Sequence, residues 1–167
     1  MNLGRLAEDQ LSRGESRLRD AGRAYREERW PDTLRFCQEA VELALKALLR
    51  SVAVEAPKRH DVGPVLETVA SVLPSEIRRR LPEAVALSAA LADRRALAMY
   101  GDEVTGESAS DLFQSQSEAR RFLSESRALV ALVRRHVRRP PRTRSRNRSS
   151  SRVAPRLRAS AESVSRR

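Results

Sequence analysis

The sequence predicts an all-α protein, an up-and-down bundle of four main helices joined by short helices and followed by a disordered, arginine-rich C-terminal tail. Apolar residues recur at helical spacing in four long segments, and alanine, leucine, arginine and glutamate, all good helix formers, dominate the composition. No segment alternates in the manner of a β-strand. We expect residues 1–139 to form the bundle and residues 140–167 to form the tail.

The first helix is predicted over residues 3–28, where Leu11, Leu18 and Tyr25 recur at sevenfold spacing between charged residues. Pro31 separates this helix from the next one. A proline lacks a backbone donor and disfavours the α conformation in its predecessor, but it suits the first turn of a helix. The short connection predicts an antiparallel helix pair.

The second helix, over residues 31–54, has the clearest amphipathic pattern. We interpret its opposite face as solvated, with the acid Glu42 before the base Lys46 at i, i+4. That face carries Arg35, Gln38, Glu42, Lys46 and Arg50. The chain's one cysteine lies in the apolar stripe, so no disulfide or CxxC pair is expected and a reducing cytoplasm is the predicted compartment. The stripe consists of Leu34, Cys37, Val41, Ala44, Leu45, Leu48 and Val52.

Shorter elements are expected after a break at residues 55–61. Asp61 can cap a short helix over residues 62–72, and Pro74 opens another turn. A longer helix is predicted over residues 81–99. Its small residues would allow a second helix to approach closely, and they are Ala84, Ser88, Ala92 and Ala96.

The end of this helix and the start of the last one carry recognisable signals. Gly101 suits the left-handed position that terminates helices, and a loop is expected over residues 101–110. Ser115 and Glu118 have the spacing of a capping box for a final helix whose apolar stripe reaches Val133.

The net charge of +11 is concentrated at the C-terminus. Residues 134–167 contain 13 arginines and one acid, a net charge of +12, whereas residues 1–133 contain 20 basic and 21 acidic residues, a net charge of −1. The tail is therefore expected to contact nucleic acid phosphates, unless it serves only to keep the protein soluble. The tail candidates are Arg142, Arg144, Arg146 and Arg148.

Several function classes find no support in the sequence. No signal peptide or membrane span is expected, and neither a Walker loop, a GxGxxG motif, zinc-ligand spacing nor a Ser-His-Asp arrangement can be assembled. We therefore expect no metal and no cofactor. The two histidines are His60, in the loop after the second helix, and His136, which is expected to be exposed among arginines.

Three segments of the sequence form a recognisable set. They are RFCQEAVELALKALL at residues 35–49, PKRHDV at residues 57–62, and DRR followed by YGDE within residues 93–103. Together they resemble one known family, the HEPN (higher eukaryotes and prokaryotes nucleotide-binding) domain. The resemblance spans residues 25–133, and its strongest part is the second-helix block with the Lys-x-His-Asp loop.

The resemblance implies a dimeric helical bundle in a nucleotide- or RNA-associated role, with a nucleotidyltransferase as a partner in a toxin-antitoxin or defence system. Many HEPN domains are metal-independent RNases that use an Arg-x4-6-His motif. Counting from Arg95, Tyr100 stands where the histidine would be, and a phenol with a pKa of about 10 is a poor base near neutral pH. The nucleotide- or RNA-binding candidates are Lys58, His60, Arg94, Arg95, Tyr100 and Asp102.

We therefore expect ribonuclease activity to be weak or absent while phosphate binding survives. His60 would supply proton transfer only if its loop reaches the cleft of Arg95. A structural alternative is that Arg95 pairs with Asp102 or Glu103 and that Tyr100 only packs at a helix end. For the whole protein, the alternative is a non-enzymatic helical interaction module whose arginine tail binds nucleic acid or acidic partners.

Overall fold

The computed structural model describes residues 3–138, and every regular element in this part of the chain is helical, as predicted. Four of these helices are long, and the first two of them are consecutive in the chain. The expected tail contacts, at residues 142–148, lie outside the described residues. The elements are α1 (Leu3–Arg26), α2 (Trp30–Ser51), α3 (Gly63–Thr68), a 3-10 turn (Ala70–Val72), α4 (Ser75–Arg79), α5 (Leu81–Tyr100), α6 (Ala109–Leu112) and α7 (Gln116–Val137).

Helices α1 and α2 form the predicted antiparallel pair. Near its middle the pair is in close contact, because a Cβ atom on Gly14 would lie 3.1 Å from the Ala40 carbonyl oxygen. Near the turn, the rings of Tyr25 and Trp30 pack with their centroids 5.3 Å apart. Pro31 lies in the first turn of α2, where its missing N–H costs nothing.

Helix α2 is the centre of the bundle, because it packs against α1, α5 and α7. Its predicted apolar stripe is buried. The prediction that its polar face is solvated is wrong, since Gln38 is 2% exposed and the side chains of Glu42 and Lys46 are only 16% and 12% exposed. Neighbouring side chains, including His60, cover this face, so that its polar groups bind one another instead of water.

Two small-residue positions of α5 serve the core of the same protomer. Ser88 is buried, and its hydroxyl donates to Asp61 and accepts from the backbone N–H of Val62. Ala84 is buried as well. Asp61 also accepts from the Gly63 N–H at 2.9 Å, so it stabilises the start of α3 from one residue before the cap position.

The segment predicted as a loop over residues 101–110 is more ordered than expected. Gly101 ends α5 with φ of 74°, the positive value that its position required. Ser108 and Asp111 then form a reciprocal capping box that starts α6, an element the sequence analysis missed. At α7, only half of the predicted box forms, because the Ser115 hydroxyl accepts from the Glu118 N–H while the Glu118 carboxylate binds Arg94.

The expectation that His136, near the C-terminal end of α7, is exposed is wrong. The side chain of His136 is only 9% exposed, and its Nε2 lies 3.1 Å from the Glu76 carboxylate. Among residues 3–138, none of the helices combines the length and apolar character that crossing a membrane requires.

Candidate functional site

A cleft of about 360 Å³ opens where α1, α2, α5 and the loop before α3 meet. It brings together two predicted site residues, His60 and Arg95, which are 35 positions apart in the sequence. The loop of His60 therefore reaches the cleft of Arg95, a question that the sequence left open. The cleft is lined by Arg13, Ser16, Arg17, Gln38, Glu39, Glu42, Leu43, His60 and Arg95.

Glu42 organises one wall of the cleft. Its Oε1 accepts from Lys46 at 2.6 Å, and its Oε2 lies 2.7 Å from Gln38 Nε2 and 2.9 Å from His60 Nδ1. Burial by itself raises the pKa of the Glu42 carboxyl, but the hydrogen bonds from its three partners outweigh burial and leave the pKa below its ordinary value. Glu42 is therefore an anion at neutral pH.

The contact with Glu42 fixes the imidazole of His60. With Nδ1 directed at the carboxylate, Nε2 is the ring nitrogen that remains for a ligand. The side chain of His60 is 51% exposed, so the ring is accessible from solvent. This arrangement is suited to holding one tautomer while the outer nitrogen binds or transfers a proton.

Arg95 is a half-buried arginine without an ion pair. Among residues 3–138, no carboxylate or carbonyl oxygen bonds to its guanidinium, and in particular neither Asp102 nor Glu103 does. The structural alternative of such a pair is therefore not what the structure shows. Nearby, Arg17 is neutralised by Asp20 and Glu39 at 3.1 and 3.0 Å. Arg95 is thus a cation available to an anionic ligand at the cleft.

Gln38 contributes an unsatisfied acceptor to the same cleft. Its amide nitrogen donates to Glu42, whereas its Oε1 is buried and has no hydrogen-bond donor among the described residues. A buried carbonyl without a donor costs about 1–3 kcal/mol. A residue that lines the cleft thus holds a buried oxygen whose capacity to accept a hydrogen bond is unused.

Arg94 lies outside this cleft and packs between α5 and α7. Its Nε donates to Glu118 at 2.9 Å, its Nη1 donates to the Ala90 carbonyl at 3.1 Å, and its guanidinium lies over the Phe122 ring at 5.2 Å from the centroid. The structure therefore gives Arg94 a packing role within the protomer.

The remaining predicted residues do not line the cleft either. Tyr100 is 70% exposed at the end of α5, so within one protomer it does not pack into the core. The Asp102 carboxylate accepts from the N–H groups of Val104 and Thr105 and thereby shapes its own turn. Lys58 is exposed in the loop before α3.

Sequence reasoning missed Gln38 and Glu42 as site residues. The available signal was the row Gln38, Glu42, Lys46, one residue per helical turn, on a helix with a histidine-bearing loop after it. In the described part of the chain, no three His, Cys, Asp or Glu side chains cluster as metal ligands would. Burial raises the pKa of the Cys37 thiol to about 12, so this thiol is protonated and is a poor nucleophile.

Comparison with known proteins gives one match. A family model described as HEPN domain matches residues 7–137, from the second turn of α1 to the end of α7. Searches of curated proteins and of solved structures give no significant match.

Proposed function

The chain belongs to the HEPN domain family, and from that premise we propose that it binds a nucleotide or an RNA phosphate in the cleft of Arg95 and His60. The observation that carries this proposal is the guanidinium of Arg95, which lines the cleft without an ion pair among residues 3–138. An arginine can bind a phosphate through two parallel hydrogen bonds, which fixes both its position and its orientation.

The neighbouring polar groups complement a nucleotide. The imidazole of His60, held by Glu42, presents Nε2 as a second contact for a phosphate or a ribose hydroxyl. The Oε1 of Gln38 is buried and unsatisfied, and a rotation of this side chain toward the cleft would let it accept a hydrogen bond from an amino or hydroxyl group of the ligand. Together these groups match the mixed donors and acceptors that a nucleotide requires.

We expect ribonuclease activity to be weak or absent. Cleavage by the ribose 2′-hydroxyl requires one group to remove a proton and another to protonate the leaving oxygen. One cleft offers one imidazole, and Tyr100, at the motif position, is an exposed phenol that does not line it. Because acid-base help is worth about 10²–10⁴ in rate, its partial loss weakens chemistry more than binding.

The wider setting that fits this family is a homodimer in the cytoplasm, with a nucleotidyltransferase partner of a toxin-antitoxin or defence system. Kinship with HEPN domains supports this setting. In a symmetric dimer, Arg94, Arg95 and Tyr100 of both protomers would lie near the two-fold axis. A solution mass that corresponds to the monomer alone at micromolar concentration would contradict the dimer.

The cleft is tested by calorimetric titration of the full chain with ribonucleoside 5′-monophosphates. Arg95→Ala is expected to weaken binding about tenfold, whereas Arg78→Ala, on the exposed face of α4, is expected to leave binding unchanged. Unchanged affinity in Arg95→Ala would remove the binding role. Robust metal-independent cleavage of a mixed RNA that is lost in His60→Ala or Tyr100→Phe would overturn the expectation of weak catalysis.

A second candidate is a non-enzymatic interaction module, favoured by the net charge of +12 over residues 134–167. In this case, binding to nucleic acid would depend on the tail and not on Arg95. Deleting residues 140–167 would then abolish RNA binding without unfolding the domain. Arg95→Ala would leave RNA binding intact.

A further inference from the structure

A groove between α1 and α7 concentrates positive charge on the folded domain. It has a volume of about 610 Å³, and six arginines and a single acid, Glu15, line it. This concentration is notable because residues 1–133 carry a net charge of −1. The arginines are Arg19, Arg23 and Arg26 from α1 and Arg127, Arg134 and Arg138 from α7 and its C-terminal end.

The arginines form two rows that face each other across an apolar floor. In α1 they are spaced i, i+4, i+7, and in α7 they are spaced i, i+7, i+11, so each row follows one face of its helix. Between the rows lie Leu18, Gly22 and Val130. At a rise of about 1.5 Å per residue, the row from Arg127 to Arg138 is roughly 16 Å long, enough for a few nucleotides of an extended strand.

Glycine at position 22 leaves room for the Arg127 side chain beside α1. A Cβ atom there would lie 2.9 Å from Nη2 of Arg127. The missing side chain therefore lets the Arg127 guanidinium lie close to the α1 backbone. The α7 row of arginines is thereby brought close to α1 at this position.

Most of this charge is not neutralised within the protomer. Glu15 contacts Arg138 at 2.7 Å and Arg134 at 3.8 Å. The other four arginines have no carboxylate partner among residues 3–138, and they are Arg19, Arg23, Arg26 and Arg127. Guanidinium groups gathered in this way repel one another, so an anion that bridges both rows would relieve an unfavourable interaction.

We propose that the α1–α7 groove binds the sugar-phosphate backbone of single-stranded nucleic acid, as a site separate from the cleft of Arg95. The groove and the cleft share no lining residue. The groove also ends at Arg138, after which the sequence continues with ten more arginines in residues 139–167. A basic groove that follows a backbone is a common mode of binding to single strands.

The test is fluorescence anisotropy of labelled oligouridylate and oligodeoxythymidylate with the full chain over a range of salt concentrations. The double variant Arg23→Gln, Arg127→Gln is expected to bind about tenfold more weakly at low salt. The slope of log K against log salt is expected to fall by about 1.4, because each phosphate contact with a single strand contributes about 0.7. RNA and DNA should bind alike, because phosphate contacts carry no sequence information.

The matched control removes the same charge elsewhere. Arg78→Gln, Arg79→Gln changes two exposed arginines of α4 and is expected to retain affinity and salt slope. Mononucleotide titration of Arg95→Ala tests the cleft by itself, so failure of the cleft proposal would be visible separately from failure of the groove proposal. Equal binding by the groove variant and the α4 control would overturn the proposal. So would a strong preference for one base sequence.

Discussion

The Arg94 guanidinium donates to the Glu118 carboxylate at 2.9 Å and joins α5 to the first turn of α7. Its neighbour Arg95 lines the cleft beside α2 and forms no ion pair within residues 3–138. Successive residues of an α-helix are rotated by about 100°, so two adjacent arginines serve two different surfaces. One is held by packing, and the other is available to a ligand.

This division predicts that two neighbouring substitutions affect the free energy of unfolding to different extents. Arg94→Ala removes an ion pair, a hydrogen bond to the Ala90 carbonyl and a contact with the Phe122 ring. Because the ion-pair partners are 34% and 27% exposed, we expect a loss of about 1–2 kcal/mol. Arg95→Ala is expected to change stability by less than about 0.5 kcal/mol. Urea unfolding followed by circular dichroism measures both, and equal losses would contradict the assignment.

The four long helices could be predicted from the sequence because the apolar residues that they bury recur at helical spacing within each segment. The role of Gly101 in ending α5 was predictable for a similar reason, since the positive φ at a helix end depends on that residue alone. The failures involve competition between partners distant in sequence. The capping box of α7 is only half formed because Arg94, 24 residues away, binds the Glu118 carboxylate that the box would use. The spacing of residues along the chain cannot predict which of the two partners the Glu118 carboxylate binds.

Two glycines with similar positive φ values allow the cost of a steric contact to be separated from the cost of backbone strain. Gly101 and Gly106 have φ of 74° and 78°. A Cβ atom on Gly101 would lie 2.4 Å from the Glu107 carbonyl oxygen, whereas one on Gly106 would meet nothing within 4 Å. Gly106→Ala should cost about 1 kcal/mol from strain alone, and Gly101→Ala should cost at least about 2 kcal/mol more. Similar thermal unfolding temperatures for the two variants would argue against this contact.

The candidate site was predictable only in part. His60 and Arg95 were identified from the resemblance, but their proximity depends on how the loop before α3 packs. Gln38 and Glu42 were assigned to solvent because a polar row opposite an apolar stripe usually faces water. Here α2 lies at the centre of the bundle, so its polar row meets other side chains and forms a hydrogen-bonded cluster.

The Glu42 cluster should make stability depend on pH. A carboxyl whose pKa is lowered on folding stabilises the protein above its unfolded pKa, about 4.3, and this contribution disappears as the pH falls through the folded pKa. Glu42→Gln should therefore lose about 1–3 kcal/mol at pH 7, and the difference from wild type should shrink below about pH 4. Glu103→Gln, an exposed control, should match wild type throughout. A constant difference across the pH range would contradict the role of Glu42 as an anion.

Cys37 should report on the opening of the core. Burial raises the pKa of its thiol to about 12, and the side chain is fully buried in α2. The native protein at pH 8 should therefore react with a thiol reagent at least about a thousandfold more slowly than an exposed cysteine. The control is Ser124→Cys, which adds an exposed thiol to the same chain. Mass spectrometry measures the reaction rates of the two thiols. If Cys37 reacted about as fast as the thiol that Ser124→Cys introduces, the core would be open to the reagent.

The unsatisfied oxygen of Gln38 predicts a conflict between stability and binding. Gln38→Leu removes a buried acceptor that lacks a donor, at the cost of one hydrogen bond to Glu42, so the free energy of unfolding should change by less than about 1 kcal/mol. Gln38→Glu places a second carboxyl beside Glu42 and should be strongly destabilising at pH 7, because two adjacent anions cannot both be accommodated. If the oxygen accepts a hydrogen bond from the ligand, Gln38→Leu should weaken mononucleotide binding about tenfold despite its intact fold. Calorimetric titration and thermal unfolding of the same samples separate the two effects, and a Gln38→Leu variant with wild-type affinity would remove Gln38 from the binding site.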